Sequence, residues 1–150
     1  MKANKILFPT DFSTSSDAAL SMVTSLARDT GAMVLIAHVE EPPLAYGGGE
    51  MYYGIPEPAT EDLQKMLEEV VPADSEIRYE HRLIVGDPAS AIVRLAEDEN
   101  ADLIVVGTHG RTGLKRLLMG SVTEAVVRRA KCPVLTFKQP TGEPAETQAS

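Results

Sequence analysis

The sequence predicts an α/β fold: a doubly wound, mainly parallel five-stranded sheet with helices on both faces, in a Rossmann-like arrangement. Strand and helix patterns alternate about four times along the chain, and a closing strand follows them. The second predicted strand, residues 32–39, is continuously apolar at its centre, as in strands covered on both faces. With 150 residues and 43% hydrophobic content, the chain has material for one core. We expect one domain over residues 1–138.

The first strand and first helix are marked by their end signals. Residues 5–8 form a short apolar run that Pro9 stops, which is typical of a buried strand leading into a loop. Thr14 and Asp17 approximate a capping box at the start of a helix. Gly31 occupies the place where a left-handed residue ends that helix.

The middle of the chain changes in composition. Residues 40–58 are rich in Pro, Gly and Tyr, which predicts a long loop without regular structure. A modest amphipathic helix is predicted over about residues 60–71, where Pro72 closes it. Residues 76–85 alternate between apolar and polar, which indicates a strand with one exposed face, at an edge of the sheet.

The next helix and strand have stronger signals. Asp87 can cap a helix whose first position is Pro88. Residues 103–106 are β-branched and apolar and end at Gly107, so they form the clearest predicted strand.

The last elements are a helix and a short strand. Residues 121–130 predict the final helix, and residues 133–137 predict the closing strand. Residues 139–150 contain Pro, Gly, Thr and Glu but little to bury, so we expect a disordered C-terminal tail.

Charge and composition bear on the partners, the location and the cysteine chemistry of the protein. Lys and Arg total 14 against 22 Asp and Glu, and this net charge of −8 disfavours nucleic acid and anionic membranes as partners. The apolar run at residues 6–8 is too short for a signal peptide and no long apolar stretch follows, so we expect a cytoplasmic protein. Cys132 is the only cysteine, which excludes an intramolecular disulfide and a multi-cysteine metal site.

A glycine-rich segment follows the clearest strand, where ligands bind in such sheets. Phosphate requires close backbone approach, unpaired N–H donors and preferably a helix N-terminus. Gly107, Gly110, Gly120 and the helix start at residues 121–123 could supply all three. The spacing matches neither the Walker A motif nor the dinucleotide fingerprint.

A simpler interpretation of the same segment stays open. Gly107 and Gly110 could only shape a turn, while residues 121–124, Ser-Val-Thr-Glu, could be a capping box. Their joint placement after a buried parallel strand favours anion binding, and both interpretations can hold together.

The spacing Gly107-x2-Gly110-x9-Gly120-Ser121 resembles the nucleotide motif of the universal stress protein family, in its ATP-binding branch. The similarity extends over roughly residues 3–137. Its other matching segments are residues 6–13 (Ile-Leu-Phe-Pro-Thr-Asp-Phe-Ser), His38-Val39, Gly86-Asp87-Pro88 and residues 131–135 (Lys-Cys-Pro-Val-Leu).

The resemblance implies ATP, with or without Mg2+, as the ligand, and three groups of contact residues. Adenine and ribose would be surrounded by Pro9, Thr10, Asp11 and Val39. Ribose and phosphate would lie along Gly107, Gly110 and Arg111, and phosphates would be held by Gly120, Ser121, Val122 and Thr123. It also implies a homodimer through the last strand, Val134 to Phe137. Residues 44–54 and the tail beyond Lys138 depart from the family pattern.

Several polar residues have competing roles. Asp11 could bond a nucleotide hydroxyl or help to hold Mg2+, or it could bond amides at the start of the first helix. Arg111 is the best phosphate candidate in a local basic cluster. His109 lies within the glycine segment, whereas His38 and His81 lack companion ligands at metal spacing, so no zinc site is predicted.

The sequence favours binding over catalysis. It contains no Ser-His-Asp order, no carboxylate pair in the loops and no nucleophile with an evident base. We therefore expect a dimeric ATP-binding stress or regulatory protein that hydrolyses ATP slowly at most, with an unidentified protein partner. One alternative is a weak ATPase or adenylate-transferring enzyme using Asp11 and Mg2+. The other is a dimeric interaction module that needs no nucleotide.

Overall fold

A computed structural model describes residues 3–42, 60–108 and 120–138. Within these residues, strands and helices alternate. The elements are β1 (Lys5–Pro9), α1 (Thr14–Thr30), β2 (Met33–Glu40), α2 (Thr60–Glu68), β3 (Tyr79–Val85), α3 (Pro88–Asp98), β4 (Leu103–Gly107), α4 (Ser121–Arg129) and β5 (Val134–Phe137). The loop predicted over residues 40–58 begins later than predicted, because β2 includes Glu40. The rest of that loop beyond residue 42, with the 44–54 segment, and the 139–150 tail lie outside the described residues. No helix in the described ranges has both the length and the apolar character needed to span a bilayer.

The strands form one parallel sheet in the order β3-β2-β1-β4-β5. The chain builds outward from β1 through β2 to β3, then returns to the other side of β1 with β4. This reversal places a topological switch point between β1 and β4, where open α/β sheets bind ligands. The predicted doubly wound five-stranded sheet is confirmed.

Alternation along the central strands divides the core into two layers. In β1, Ile6 and Phe8 pack with α1 and α2, whereas Leu7 packs with α3 and α4. In β2, Val34 and Ile36 share the first layer and Leu35 and Ala37 the second. Since both faces are covered, every one of these positions must be apolar, which explains the unbroken apolar run in β2. Helices lie on both faces, as predicted.

The edge position predicted for β3 is confirmed, because within the described residues β3 pairs only with β2. Val85 at its end is 64% exposed. The strand starts at Tyr79, later than the predicted residue 76, because Asp74 organises a turn before it. Its carboxylate accepts the Glu76 N–H at 2.9 Å, and its carbonyl accepts the Ile77 N–H at 3.2 Å.

Two helix ends follow the predicted signals and two do not. The second helix, α2, ends at Glu68 and not near residue 71, because turn bonds such as that from the Glu69 N–H to the Met66 carbonyl at 3.2 Å replace the helical ones. Gly31 ends α1 at φ 80° and donates its N–H to the Ala27 carbonyl at 2.8 Å. Asp87 caps α3 by accepting the Ser90 N–H at 3.0 Å. The predicted Thr14 cap is wrong: Ser13 caps α1, and its hydroxyl accepts the Ser16 N–H at 3.2 Å.

Candidate functional site

The end of β4 lies between the first turns of two helices. A Cβ at Gly107 would lie 3.0 Å from Ser15 Oγ, in the first turn of α1. On the α4 side, the Thr123 hydroxyl donates to the Gly107 carbonyl at 2.9 Å. Helix N-termini carry partial positive charge, so α1 and α4 both bring positive potential to Gly107. This arrangement suits an anion at the carboxyl end of β4.

The start of α4 is capped by a glycine and not by a side chain. Gly120 is the N-cap, and no side chain among the described residues bonds the first-turn amides. Ser121 is the first helical residue, so the capping box considered for residues 121–124 does not form. A helix leaves its first N–H groups without helical partners. The α4 N-terminus can therefore offer backbone donors to a ligand.

The Thr123 side chain is hydrogen-bonded within the protein. It is 9% exposed, and its hydroxyl bonds the Gly107 carbonyl as described above. Any contribution of Thr123 to a phosphate would therefore come from its backbone N–H. Ser121 and Val122, by contrast, are exposed at the start of the helix.

The turn after β1 is tightly bonded to β2. The Thr10 N–H donates to the Ala37 carbonyl at 2.8 Å, and the Thr10 carbonyl lies 2.8 Å from His38 Nδ1. The Thr10 hydroxyl accepts the Phe12 N–H at 3.0 Å. Thr10 is only 6% exposed, so its side chain shapes the turn rather than reaching outward.

Asp11 makes the helix-start bonds that were one of its two predicted roles. Its Oδ1 accepts the Ser13 N–H and the Ser16 hydroxyl, each at 3.0 Å. Both bonds use one oxygen, and no described residue bonds the other. The local role and a ligand contact through Oδ2 are therefore compatible.

The predicted site residues that the structure describes lie together at the carboxyl ends of the parallel strands. Pro9 ends β1, and Thr10 and Asp11 follow it. Val39 lies near the end of the adjacent β2, and Gly107 ends β4 on the other side of β1. The residues predicted to hold the phosphates, 120–123, lie at the start of α4. Gly110 and Arg111, together with His109, lie outside the described residues.

Ser15 was not singled out by the sequence, and the structure places it beside Gly107. It is 5% exposed, and its Oγ has no hydrogen-bond partner among the described residues. Nothing in the run Ser13-Thr14-Ser15-Ser16 distinguishes it from its neighbours, because the feature that matters is its packing against Gly107, far along the chain.

The remaining candidate groups are structural. His38 is 7% exposed, and His81 Nε2 lies 2.8 Å from the Val70 carbonyl, so both histidines are packed. Burial raises the pKa of the Cys132 thiol, which keeps it protonated at neutral pH. Within the described ranges, no three His, Cys, Asp or Glu side chains are grouped as a metal site would require.

Comparison with known proteins gives consistent results. The family model described as the universal stress protein family matches residues 2–138. Universal stress protein MJ0577 of Methanocaldococcus jannaschii is 33% identical over 153 aligned residues, covering 90% of this chain and 94% of that protein. The solved MJ0577 structure has a TM-score of 0.72 at 32% identity and covers 95% of this chain and 100% of its own.

Two further relatives extend the comparison. Universal stress protein MJ0531 of the same organism is 37% identical over 143 aligned residues, covering 93% of this chain and 84% of that protein. The structure of a universal stress protein in complex with cAMP has a TM-score of 0.61 at 28% identity, covering 92% of this chain and 98% of its own. The chain belongs to the universal stress protein family.

Proposed function

We propose that this protein binds ATP at the carboxyl edge of its sheet and acts as a dimeric nucleotide-binding protein in stress response or regulation. The observation that carries the proposal is the position of Gly107 between the first turns of α1 and α4, with a glycine in place of a side-chain cap at α4. The cAMP complex of a similar universal stress protein supports an adenine nucleotide as the ligand class.

The two ends of the nucleotide are assigned to different parts of this edge. Adenine and ribose contact the turn after β1 and Val39, and Asp11 Oδ2 accepts from a ribose hydroxyl. The phosphates approach Gly107, Gly120 and the α4 amides of residues 121–123, with Gly110 and Arg111 completing the set. The Gly120 N–H itself donates to the Thr108 carbonyl at 3.0 Å, so Gly120 contributes close backbone approach and not a donor. Magnesium, where present, is held mainly by the phosphates, since this ion usually retains several of its water ligands and binds few protein groups.

Binding rather than turnover is the proposed activity. Asp11 is held by Ser13 and Ser16 and has one oxygen left. The nearby His38 is buried and has its Nδ1 at 2.8 Å from the Thr10 carbonyl, so it is not placed to act as a base. The nucleotide is then a regulatory ligand whose hydrolysis is slow. Steady turnover that Asp11→Ala abolishes would instead favour the weak ATPase.

The proposed dimer pairs β5 of one protomer with β5 of its partner. Within the described residues, Val134–Phe137 bonds only β4, so its outer edge is available for another strand. Leu135 on this strand is 39% exposed, which gives the edge an apolar side chain to bury.

The test is thermal unfolding with and without ATP and Mg2+, because a ligand selective for the folded state raises the midpoint. The sharpest variant is Ser121→Glu, which places a carboxylate where the phosphates are expected while suiting the helix dipole. It should keep the midpoint of the free protein and lose the rise with ATP.

Ser90→Glu is the control, since Ser90 is also an exposed serine in the first turn of a helix, α3. Because its hydroxyl accepts from Arg129 at 2.7 Å, the rise with ATP is measured against the midpoint of this variant without ATP. It should keep the full rise. Absence of any rise in nucleotide-free wild-type protein at millimolar ATP would contradict the proposal and favour the interaction module.

A further inference from the structure

Thr10 has each of its polar groups bonded. Its N–H donates to the Ala37 carbonyl, its hydroxyl accepts from Phe12, and its carbonyl lies 2.8 Å from His38 Nδ1. A carbonyl can only accept, so the neutral imidazole must carry its proton on Nδ1. Thr10 and His38 are 6% and 7% exposed, so loss of this donor would leave a carbonyl buried without its partner.

His38 also contacts the residue on the other side of Asp11. The Phe12 ring lies 4.4 Å from the imidazole, centroid to centroid, at an interplanar angle of 37°. Phe12 has φ 68°, in the left-handed region that bulky residues avoid. Such a conformation persists only where its surroundings fix it. The bond from Phe12 N–H to Thr10 and the ring contact with His38 are the fixing interactions.

The His38 side chain, on β2, therefore contacts both Thr10 and Phe12, the residues on either side of Asp11. We infer that His38 is a positioning residue of the nucleotide site: through Thr10 and Phe12 it sets the conformation in which Asp11 and the end of β1 accept adenine and ribose. The inference rests on the proposed function. His38 itself need not touch the ligand, since its Nδ1 and one face of its ring are occupied within the protein.

Two substitutions at His38 separate its donor from its ring. His38→Phe keeps an aromatic ring against Phe12 but removes the donor to the Thr10 carbonyl. His38→Asn removes the ring but places an amide donor close to the position of Nδ1. Loss of a single buried hydrogen bond corresponds to about tenfold in an equilibrium constant.

His81 provides a matched control. It is half-buried, its Nε2 lies 2.8 Å from the Val70 carbonyl, and its ring lies 5.4 Å from that of Tyr79. His81→Phe therefore removes the same kind of bond from β3, away from the turn after β1. A purely structural role for His38 predicts that both Phe variants lose stability and neither loses affinity.

The experiment is calorimetric titration of nucleotide-free protein with ATP, beside urea unfolding of each variant. We expect His38→Phe to weaken ATP binding by about tenfold, His38→Asn to recover most of the loss, and His81→Phe to bind as wild type. Wild-type affinity in His38→Phe would overturn the inference, as would an equal loss in His81→Phe.

Hydrogen exchange in the absence of nucleotide keeps this inference distinct from the proposed function. The Phe12 N–H, bonded to Thr10 Oγ1, should exchange faster in His38→Phe and near the wild-type rate in His38→Asn. Unchanged exchange would overturn the positioning role even if ATP binds. Faster exchange in His38→Phe, together with a wild type that binds no ATP, would refute the proposed function and keep His38 as the residue that holds the turn.

Discussion

The Oγ of Ser15 lies 3.0 Å from the point that a Cβ would occupy at Gly107. The Ser15 and Phe137 carbonyls lie 3.7 and 3.9 Å from the same point. The side of Gly107 on which a Cβ would lie is thus occupied by α1 and β5, and the contact joins the residue that ends β4 to the first turn of α1. Glycine is required here by packing and not by a positive φ.

Gly107→Ala should therefore destabilise the fold by about 1–2 kcal/mol, because the added methyl group displaces Ser15. Ser15→Ala alone should be nearly neutral, since it removes a buried hydroxyl that has no partner in the described part of the chain. In the double variant the penalty of Gly107→Ala should shrink. Urea unfolding of the four proteins measures this coupling, and strictly additive effects would contradict it.

The contact between Ser15 and Gly107 is a feature that the sequence does not predict, unlike the local signals at the helix ends. Local signals predicted the αL residue Gly31 and the cap Asp87 because each acts within one turn of its own helix. The first cap was misplaced because Ser13 and Thr14 are both capable of capping α1, and only the backbone decides between them. The packing of Ser15 on Gly107 has no local signal, since it depends on how α1 lies against β4.

The candidate site was predictable to a similar degree. The alternating elements predicted a parallel sheet but not its strand order. The order β3-β2-β1-β4-β5 comes from the structure, and it brings the ends of β1, β2 and β4 together. The role of His38 did not follow, because a histidine within an apolar strand gives no indication of the carbonyl it will meet across the sheet. The bonds of Asp11 to Ser13 and Ser16 were anticipated as one alternative, because they are local.

A pH-dependent contribution to stability is expected from Glu99. Its pKa is lowered, first by the hydrogen bond from Lys5 at 3.0 Å and further by Arg82. A carboxylate with a lowered folded-state pKa stabilises the fold above its unfolded pKa, and this contribution is lost as the pH falls through the folded value. Glu99→Gln should be less stable than wild type at pH 7, and the gap should close below pH 4.5, the ordinary value for this carboxyl.

Urea unfolding at neutral and acid pH measures that gap. Glu124→Gln is the control, because Glu124 lies 3.9 Å from Arg128 on the exposed surface of α4 and should contribute little at either pH. A gap for Glu99→Gln that is independent of pH would show that Lys5 and Arg82 do not stabilise its charged form.

The proposed dimer predicts different responses at the two edges of the sheet. Leu135→Lys places a charge on β5, where strand pairing between protomers would bury it, and should yield monomers. Val85→Lys makes a comparable change at the end of the opposite edge strand, β3, and should leave the dimer intact. Light scattering after size exclusion measures the mass, and a monomeric wild type or a dimeric Leu135→Lys would refute the β5 interface.

Two substitutions at Asp11 separate its hydrogen bonds at the start of α1 from its proposed contact with the nucleotide. Asp11→Asn keeps an oxygen that can accept from Ser13 and Ser16 but replaces the second oxygen by an amide, which donates instead of accepting. Its stability should stay within about 1 kcal/mol of wild type, while ATP affinity falls, because a ribose hydroxyl loses its acceptor. Asp11→Ala removes both oxygens and should lose stability and affinity together. Unfolding and ATP titration of the two variants distinguish the roles: if Asp11→Asn binds ATP as wild type does, Asp11 serves only to bond the turn before α1.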